Sequence, residues 1–465
     1  MKSRQRLLAV AVAVAFVQPV FGADDGDRVL SPVKAQAARE VEVQSRTELG
    51  RLTEYTPLAG SVVEREELEA VRFVDSFHEL LPRVPGVSMS RNMRFTDGGK
   101  NYTENRIDGM RARNTGTYGF VDQVNSGDIE RIEFIRGPGS VLSGSNAIGG
   151  TINVITRDPP AKREFQVSGE AFEDGGYRTG LSGGDRLSDS LGYFFNINRL
   201  DHDGWRDHTD QKKTALSTKW VWRPDSSSKL ALRYEYIDDD YQSAGSLDEA
   251  QFRANWRQAE PGSYLRTAVK YSTPSLHYRK MFGDVGELNL YGQQRYTDQR
   301  ARSSGFSGGG ATLGDTESYE TNFQLMYKHN FSLAKTSVTG GFDYLDSASD
   351  SRKFKDISPN SFHLSRGALT GYSKSYEKSK SPFLQIEFSP LDPLRLTVGV
   401  RRDDISYRVD DKFNNSKDGS TGYAKTVRKF GAVYEISPRA LIWANVAEGF
   451  MGPGVSTLLG SGTPV

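Results

Sequence analysis

From residue 163 onward, apolar and polar residues alternate with a period of two. Leu230, Leu232, Tyr234 and Tyr236 are interleaved with Ala231, Arg233 and Glu235. Tyr319, Thr321, Phe323, Leu325, Tyr327, His329 and Phe331 are interleaved with Glu320, Asn322, Gln324, Met326, Lys328 and Asn330. Leu394, Leu396, Val398 and Val400 alternate with Arg395, Thr397, Gly399 and Arg401. Such runs predict strands with one apolar and one polar face. A soluble sandwich would show the same alternation, so length and gap spacing decide. Several runs reach about 10 residues, enough for a tilted strand to cross a bilayer. Short gaps (Arg223–Lys229, Ser389–Pro393, Glu435–Arg439) alternate with long ones (Asp238–Ser263, Thr297–Ser318, Asp346–Ser381). Aromatics cluster near strand ends: Trp220, Trp222, Tyr234, Tyr236, Tyr344 and Trp443. Short turns on one side, long loops on the other and an aromatic girdle predict an all-β transmembrane barrel over 163–465.

Upstream the pattern changes. Residues 61–160 predict an α+β domain large enough for its own core. Val62-Val63 reads as a strand, Arg65–Ala70 as a charged helix, and Asp75–Leu81 as a second helix with Asp75 at its N-cap, stopped by Pro82 and Pro85-Gly86. Strands follow at Gly86–Met89, Asn105–Gly109, Ile129–Ile135 and Thr151–Thr156. Residues 23–60 are polar and predict a flexible segment, with one alternating piece at Glu40-Val41-Glu42-Val43. Residues 1–22 read as a secretory signal. Lys2, Arg4 and Arg6 precede the apolar run Leu7–Val17, which is too short to span a bilayer, and Val20 and Gly22 suit cleavage before Ala23.

Composition narrows the function. The formal net charge is +1, and removing the three signal cations gives 1 − 3 = −2, which argues against a nucleic-acid binder. There is no cysteine, hence no disulfide scaffold, thiolate metal site or cysteine nucleophile. Gly139–Ser145 superficially resembles a phosphate loop but has Ser145 where the lysine should stand. His202, Asp203, Asp207 and His208 fall within seven residues, yet read more simply as a polar hairpin loop than as a metal site. With six histidines and no triad spacing, no catalysis is expected.

One stretch is specific. Ile129-Glu130-Arg131-Ile132-Glu133-Phe134-Ile135-Arg136-Gly137-Pro138 continues through Ser140–Gly150 into Thr151-Ile152-Asn153-Val154-Ile155-Thr156. Ile132, Phe134, Ile152 and Val154 are strand residues for a core, and the glycines permit tight turns and close backbone approach. The stretch closely resembles the "ERIE-x-x-RGP…G…AIGG-x-INVIT" signature of TonB-dependent outer-membrane receptors. Leu80-Leu81, Pro85-Gly86-Val87 and Arg106-Ile107-Asp108-Gly109 match further plug motifs of that family, and Ile442–Phe450 resembles a barrel strand ending "AEGF".

The resemblance implies an N-terminal plug inside a barrel of the Gram-negative outer membrane, a monomer with no cofactor, that takes up a ferric siderophore or similar chelate without enzymatic chemistry. Heme, cobalamin and copper chelates are family alternatives. The paired heme-receptor motif is absent: Phe450-Met451-Gly452-Pro453 stands at its first half. Its implied partner is TonB with its inner-membrane energising complex. Aligned on these anchors, Glu40, Val41, Glu42 and Val43 fall at the TonB box, with Glu42 where the family has a hydrophobic residue. The plug apex maps to Arg91–Tyr102 and Arg111–Phe120. There Arg94, Phe95, Tyr102, Arg111, Arg113, Tyr118 and Phe120 offer cationic and aromatic groups for an anionic, ring-bearing chelate. Arg136, with Glu130 and Glu133 beside it, is the implied plug–barrel contact.

Barrels of this family have about 22 strands. Residues 163–465 give about 14 residues per strand for 22 strands, too few beside the long gaps. The pattern predicts about 14 strands, about eight short of closure. Open edges are not satisfied in lipid, so this form is expected not to insert and transport by itself. A passive porin-like channel is the rival reading. The plug signature argues against it.

Overall fold

The computed structural model describes residues 9–14, 59–70, 87–88, 94–95, 103–112, 124, 126–136, 140–144, 147–262, 264–303, 311–357, 362–413, 418–437 and 440–450. The elements before residue 160 are β1 (Ala9–Val14), β2 (Ala59–Glu64), α1 (Arg65–Ala70), β3 (Val87–Ser88), β4 (Arg94–Phe95), β5 (Thr103–Ile107), β6 (Met110–Arg111), β7 (Ile129–Arg136), α2 (Ser140–Ser143) and β8 (Gly150–Thr156). Five strands form one sheet in the order β2-β7-β8-β5-β6, with β5 parallel to β8 and the other pairs antiparallel. Ile132, Phe134, Ile152 and Val154 are fully buried at its centre. The first strand begins at Ala59, two residues ahead of the boundary the sequence suggests. The helix expected over Asp75–Leu81 lies outside the described residues.

The larger sheet carries β9 (Glu164–Ala171), β10 (Gly176–Arg186), β11 (Leu191–His202), β12 (Gln211–Trp222), β13 (Ser228–Ser243), β14 (Leu265–Met281), β15 (Gly286–Ser303), β16 (Thr312–Asn330), β17 (Ser337–Asp356), β18 (Arg366–Leu391), β19 (Leu394–Asp411), β20 (Gly419–Ser437) and β21 (Ala440–Ala447), with α3 (Glu249–Ala254) in the β13–β14 loop. Each strand pairs antiparallel with its chain neighbour, as in an up-and-down barrel wall. The described residues hold thirteen strands after residue 163, and β1 takes the fourteenth place, antiparallel to β21. The run read as a secretory signal thus lies as a strand along the last edge.

Burial on this sheet is inverted. On β16, Glu320, Asn322 and Gln324 are buried while Tyr319, Phe323, Leu325 and Tyr327 are exposed: Gln324 is 1% accessible and Tyr319 60%. Elsewhere Lys219, Arg233, Glu235, Arg401 and Asp403 are buried while Trp220, Trp222, Leu232, Leu384 and Phe430 are exposed. A water-soluble sandwich has the opposite arrangement. An apolar outer face with a polar inner face requires a hydrocarbon solvent outside and polar partners within.

The long gaps are shorter than expected. Strands β13, β15 and β17 run on to Ser243, Ser303 and Asp356, and β18 starts at Arg366. Beyond the lipid both strand faces meet polar surroundings, so the apolar alternation stops while the backbone ladder continues. Cross-strand ion pairs such as Lys374–Asp350 (3.5 Å) decorate it there. The short turns keep their expected places. At the β12–β13 turn the Asp225 carboxylate accepts hydrogen bonds from the Ser227 backbone N–H (2.8 Å) and hydroxyl (2.6 Å), an Asx-type turn.

Candidate plug–barrel site

The small sheet meets the inner face of the wall at two unlike seats with a polar chamber between them. The first seat starts at the turn Asp108-Gly109. Both residues have left-handed backbones (φ 48° and 80°), and Ile107 pairs with Met110 across them. Two positive φ angles in a two-residue loop give a type I′ hairpin, which Asp-Gly fits with little strain. The Asp108 carboxylate accepts hydrogen bonds from the Thr156 backbone N–H (2.8 Å) and hydroxyl (2.6 Å). Burial pushes this carboxyl up, but Lys219, Arg233 and the Thr156 hydrogen bonds outweigh it, and its pKa lies below the ordinary value.

Lys219 of β12 joins this turn to the wall. Its Nζ donates to the Thr156 carbonyl (3.0 Å) and hydroxyl (3.1 Å), and stands 3.0 Å from Asp158 Oδ1. The other oxygen of Asp158 receives Arg223 (3.0 Å) and Lys229 (2.5 Å). Burial opposes ionisation of Asp158, but Lys219 and Lys229 overcome it and hold the carboxyl well below the usual range. One chain of contacts therefore runs from the hairpin through the end of β8 to β12 and β13. Beside it, Asn196 of β11 donates to Asp128 (2.9 Å), and Arg233 of β13 lies 3.7 Å from the same carboxylate and 2.8 Å from Glu235. Gly127 makes this approach possible, since a Cβ there would come within 2.3 Å of the Asn196 amide nitrogen.

The second seat is apolar. Val141 and Leu142 of α2 join Met326, Phe383, Ile405, Tyr407, Val427 and Phe450 in one buried cluster. Wall glycines admit the plug: a Cβ at Gly399 would meet Val141 at 2.9 Å, and one at Gly449 would meet Ile148 at 2.9 Å.

Between the seats lies a chamber with Glu104, Arg106 and Arg111 on the plug side and Asn322, Asp343, Ser381, Arg401 and Asp403 on the wall side. Arg401 donates to Asp343 (2.7 Å) and to both oxygens of Asp403 (3.0 and 3.1 Å). Ser381 donates to Asp403 (2.8 Å). Gly144, at φ 85°, packs against the Arg401 guanidinium, where a Cβ would stand 3.1 Å from it. Opposite, Glu104 holds Arg106 at 3.6 Å and Arg111 at 3.5 Å. The plug side thus carries two cations and one acid and the wall side two acids and one cation, so the two faces bear opposite net charge, while these ion pairs close within each side.

The sequence-derived residues distribute unevenly over this site. Arg111 lies in the chamber, half-buried against Glu104, where the acid holds the guanidinium firmly charged. Glu133 is fully buried inside the plug, bound to Arg131 (3.0 Å) and the Asn153 amide (3.0 Å), and so faces its own sheet rather than the wall. Burial pushes its carboxyl up to about 7. Glu130 is half-buried on β7. The backbone of Arg136 pairs with Ala59 and Gly150, and that of Arg94-Phe95 with Val87-Ser88. Glu40, Val41, Glu42, Val43, Tyr102, Arg113, Tyr118 and Phe120 lie outside the described residues. His202 packs on Phe172, and His208 on Phe362 and Tyr264. Among the described residues no group of histidine and acid side chains is arranged to hold a metal. Sequence reasoning missed Lys219, Asp158, Arg401 and Asp343. Lys219 and Arg401 show only as polar members of alternating strands.

Comparisons with known proteins agree with this architecture. Residues 53–151 match the family model for the TonB-dependent receptor plug domain, and residues 222–465 that for the TonB-dependent receptor-like β-barrel. An iron-regulated outer membrane virulence protein of Vibrio cholerae serotype O1 (strain O395) is 33% identical over 96% of this chain and 63% of its own length. The metal-pseudopaline receptor CntO of Pseudomonas aeruginosa (strain UCBPP-PA14) is 23% identical over 74% of this chain and 53% of its own length. The chain thus spans between about half and two-thirds of these relatives. The unliganded ferric citrate transporter FecA superposes with a TM-score of 0.78 at 19% identity, over 87% of this chain and 64% of that one.

Proposed function

Because this chain belongs to the family of TonB-dependent receptors, outer-membrane transporters rather than enzymes, we propose that it serves the uptake of a metal chelate, most specifically a ferric siderophore. The carrying observation is the plug sheet seated by polar contacts, Lys219 to Thr156 and Asp158 and Asn196 to Asp128, inside a wall whose outer face is apolar. A plain pore has no use for such a plug. A gated transporter needs a plug that is held firmly and can be shifted. The chelate would sit on the plug apex, with Arg94, Phe95, Tyr102, Arg111, Arg113, Tyr118 and Phe120 as candidate contacts. TonB would pair with the segment around Glu40–Val43 by strand addition, and its pull would rearrange the chamber contacts. Arg111 already shares Glu104 with Arg106, so a bound anion would compete with Glu104 for it.

The test is tryptophan quenching of the purified chain against a panel: ferric hydroxamate, catecholate and citrate chelates, their metal-free forms, a nickel or zinc chelate, and cyanocobalamin. Saturable quenching by one ferric class and not its metal-free form supports the proposal. Saturation by cobalamin alone would replace the substrate class.

A further inference from the structure

On the outer face of the wall, each strand's apolar positions end where the first charged residue stands on the long-loop side. On β13, β15, β16 and β17 that residue is acidic: Asp238 after Tyr236, Asp298 after Tyr296, Glu317 before Tyr319, and Asp346 after Tyr344, while on β14 it is Lys270, paired with Asp238 (3.1 Å). On the next three strands it is basic. Lys380 stands before Pro382 on β18, Arg402 after Val400 on β19, and Arg428 before Phe430 on β20. Arg402 faces Thr426 and Arg428 faces Val400 across the ladder, so the three form a staircase that follows the upper margin of the apolar surface.

All three cations are exposed. The apolar side chains just below are exposed too: Leu384, Val400 and Phe430. Further from the lipid, several cations of this sector are neutralised within the protein: Lys378 by Asp346 (3.2 Å), Lys374 by Asp350 (3.5 Å), Arg408 by Asp410 (2.7 Å). At the margin the pattern stops. Among the described residues Lys380 and Arg402 make no ion pair, although Asp404 faces Lys380 in register, and Arg428 has only Glu448 at 3.7 Å. Three neighbouring strands thus each place a cation with little or no internal counter-charge directly above the hydrocarbon. Long basic side chains rooted there extend toward the head-group layer with their stems on apolar surface.

We propose that Lys380, Arg402 and Arg428 bind the phosphate of a membrane lipid whose acyl chains lie against Leu384, Val400 and Phe430. The lipid supplies both missing halves, a counter-charge for the row and hydrocarbon for the belt. The inference uses only the lipid-facing character of the wall, so its failure would leave the transport proposal standing.

The experiment measures retention of dioleoyl phosphatidic acid by the full chain in neutral maltoside micelles. Dioleoylglycerol and inorganic phosphate serve as parallel probes. The wild type is expected to retain phosphatidic acid and neither other probe. The triple variant Lys380→Gln, Arg402→Gln, Arg428→Gln should bind about 100-fold more weakly, from about a fivefold contribution per cation near a charged lipid surface. The charge-preserving exchange Lys380→Arg, Arg402→Lys, Arg428→Lys should stay within about threefold of wild type. A control of equal charge change, Arg253→Gln, Lys355→Gln, Lys412→Gln, should bind as wild type does. If the first triple does not fold, Arg402→Gln alone carries the test with an expected loss of about fivefold. Equal losses in control and test triples, undiminished binding by the test variant, or equal competition by inorganic phosphate each overturn the proposal.

Discussion

Replacing Lys219 by Met probes the polar seat most sharply. The residue is 6% accessible, and its Nζ serves Thr156 twice and Asp158 once. Met keeps most of the volume and the apolar stem while removing the charge. Asp108 then loses a stabilising cation and Asp158 one of its three. Breaking a buried pair by removing one partner costs about 3–5 kcal/mol, because the remaining charge is stranded. Asp158 keeps Arg223 and Lys229, which places the expected cost at the lower end, about 3 kcal/mol. That loss appears as local opening of the plug, so amide exchange is the suitable assay. Amides of β5 and β8 should exchange about 100-fold faster in Lys219→Met, while those of β16–β19 keep their rates. Adding Asp158→Asn should restore part of the protection, since the stranded carboxylate is then gone. Unchanged exchange in β8, or equal acceleration across the whole wall, would refute the idea that this lysine seats the plug.

Glu133 should make plug stability depend on pH. Its folded-state pKa of about 7 lies above the ordinary 4.5, so the folded plug binds the extra proton. The associated stabilisation is full below about 4.5 and is lost as pH rises through about 7, a slope that Glu133→Gln should flatten in pH-dependent exchange of β7 and β8. Gly144→Ala should loosen the plug by about 1–3 kcal/mol, because φ is 85° and Arg401 fills the space a Cβ would need. Amide exchange of the plug reads this, and Gly169→Ala, with nothing within 4 Å, should be nearly neutral in it and so checks specificity. Leu384→Arg on the outer face should cost about 2–4 kcal/mol in a phosphatidylcholine bilayer and much less in short-chain detergent, both read from denaturant midpoints.

Much of the architecture can be read from the residues, for reasons tied to solvent. Where lipid lies on one face, the alternation Tyr319–Phe331 is unmistakable, and β16 follows it. Where both faces meet polar surroundings, as at Asp346–Asp356 and Arg366–Lys378, the same ladder continues without any apolar period, and the strands read as loops. The Asp108-Gly109 hairpin and the cores of β7 and β8 are legible because turn chemistry and burial act locally. The seats are not legible. Lys219 and Thr156 meet across 63 positions of chain, and Arg401 and Asp343 across 58. Nothing in the local sequence separates these residues from other polar members of the inner face. Glu133 shows the converse: its neighbours in sequence suggested a contact with the wall, yet the pleat of β7 directs it into the plug toward Arg131 and Asn153.

The central feature of the molecule is a wall whose apolar face meets lipid and whose polar face meets the plug. The chain has five tryptophans, and Trp220 and Trp222 lie exposed on the outer face while Trp205 and Trp256 stack on each other in the long loops at 5.6 Å. Single-tryptophan variants in micelles containing a brominated detergent, compared with aqueous iodide, test this directly. Trp220 and Trp222 should be quenched by the brominated chains and shielded from iodide, with the reverse at Trp205 and Trp256. Iodide quenching of Trp220 and Trp222 equal to that of the loop tryptophans, with no response to bromine, would contradict the account.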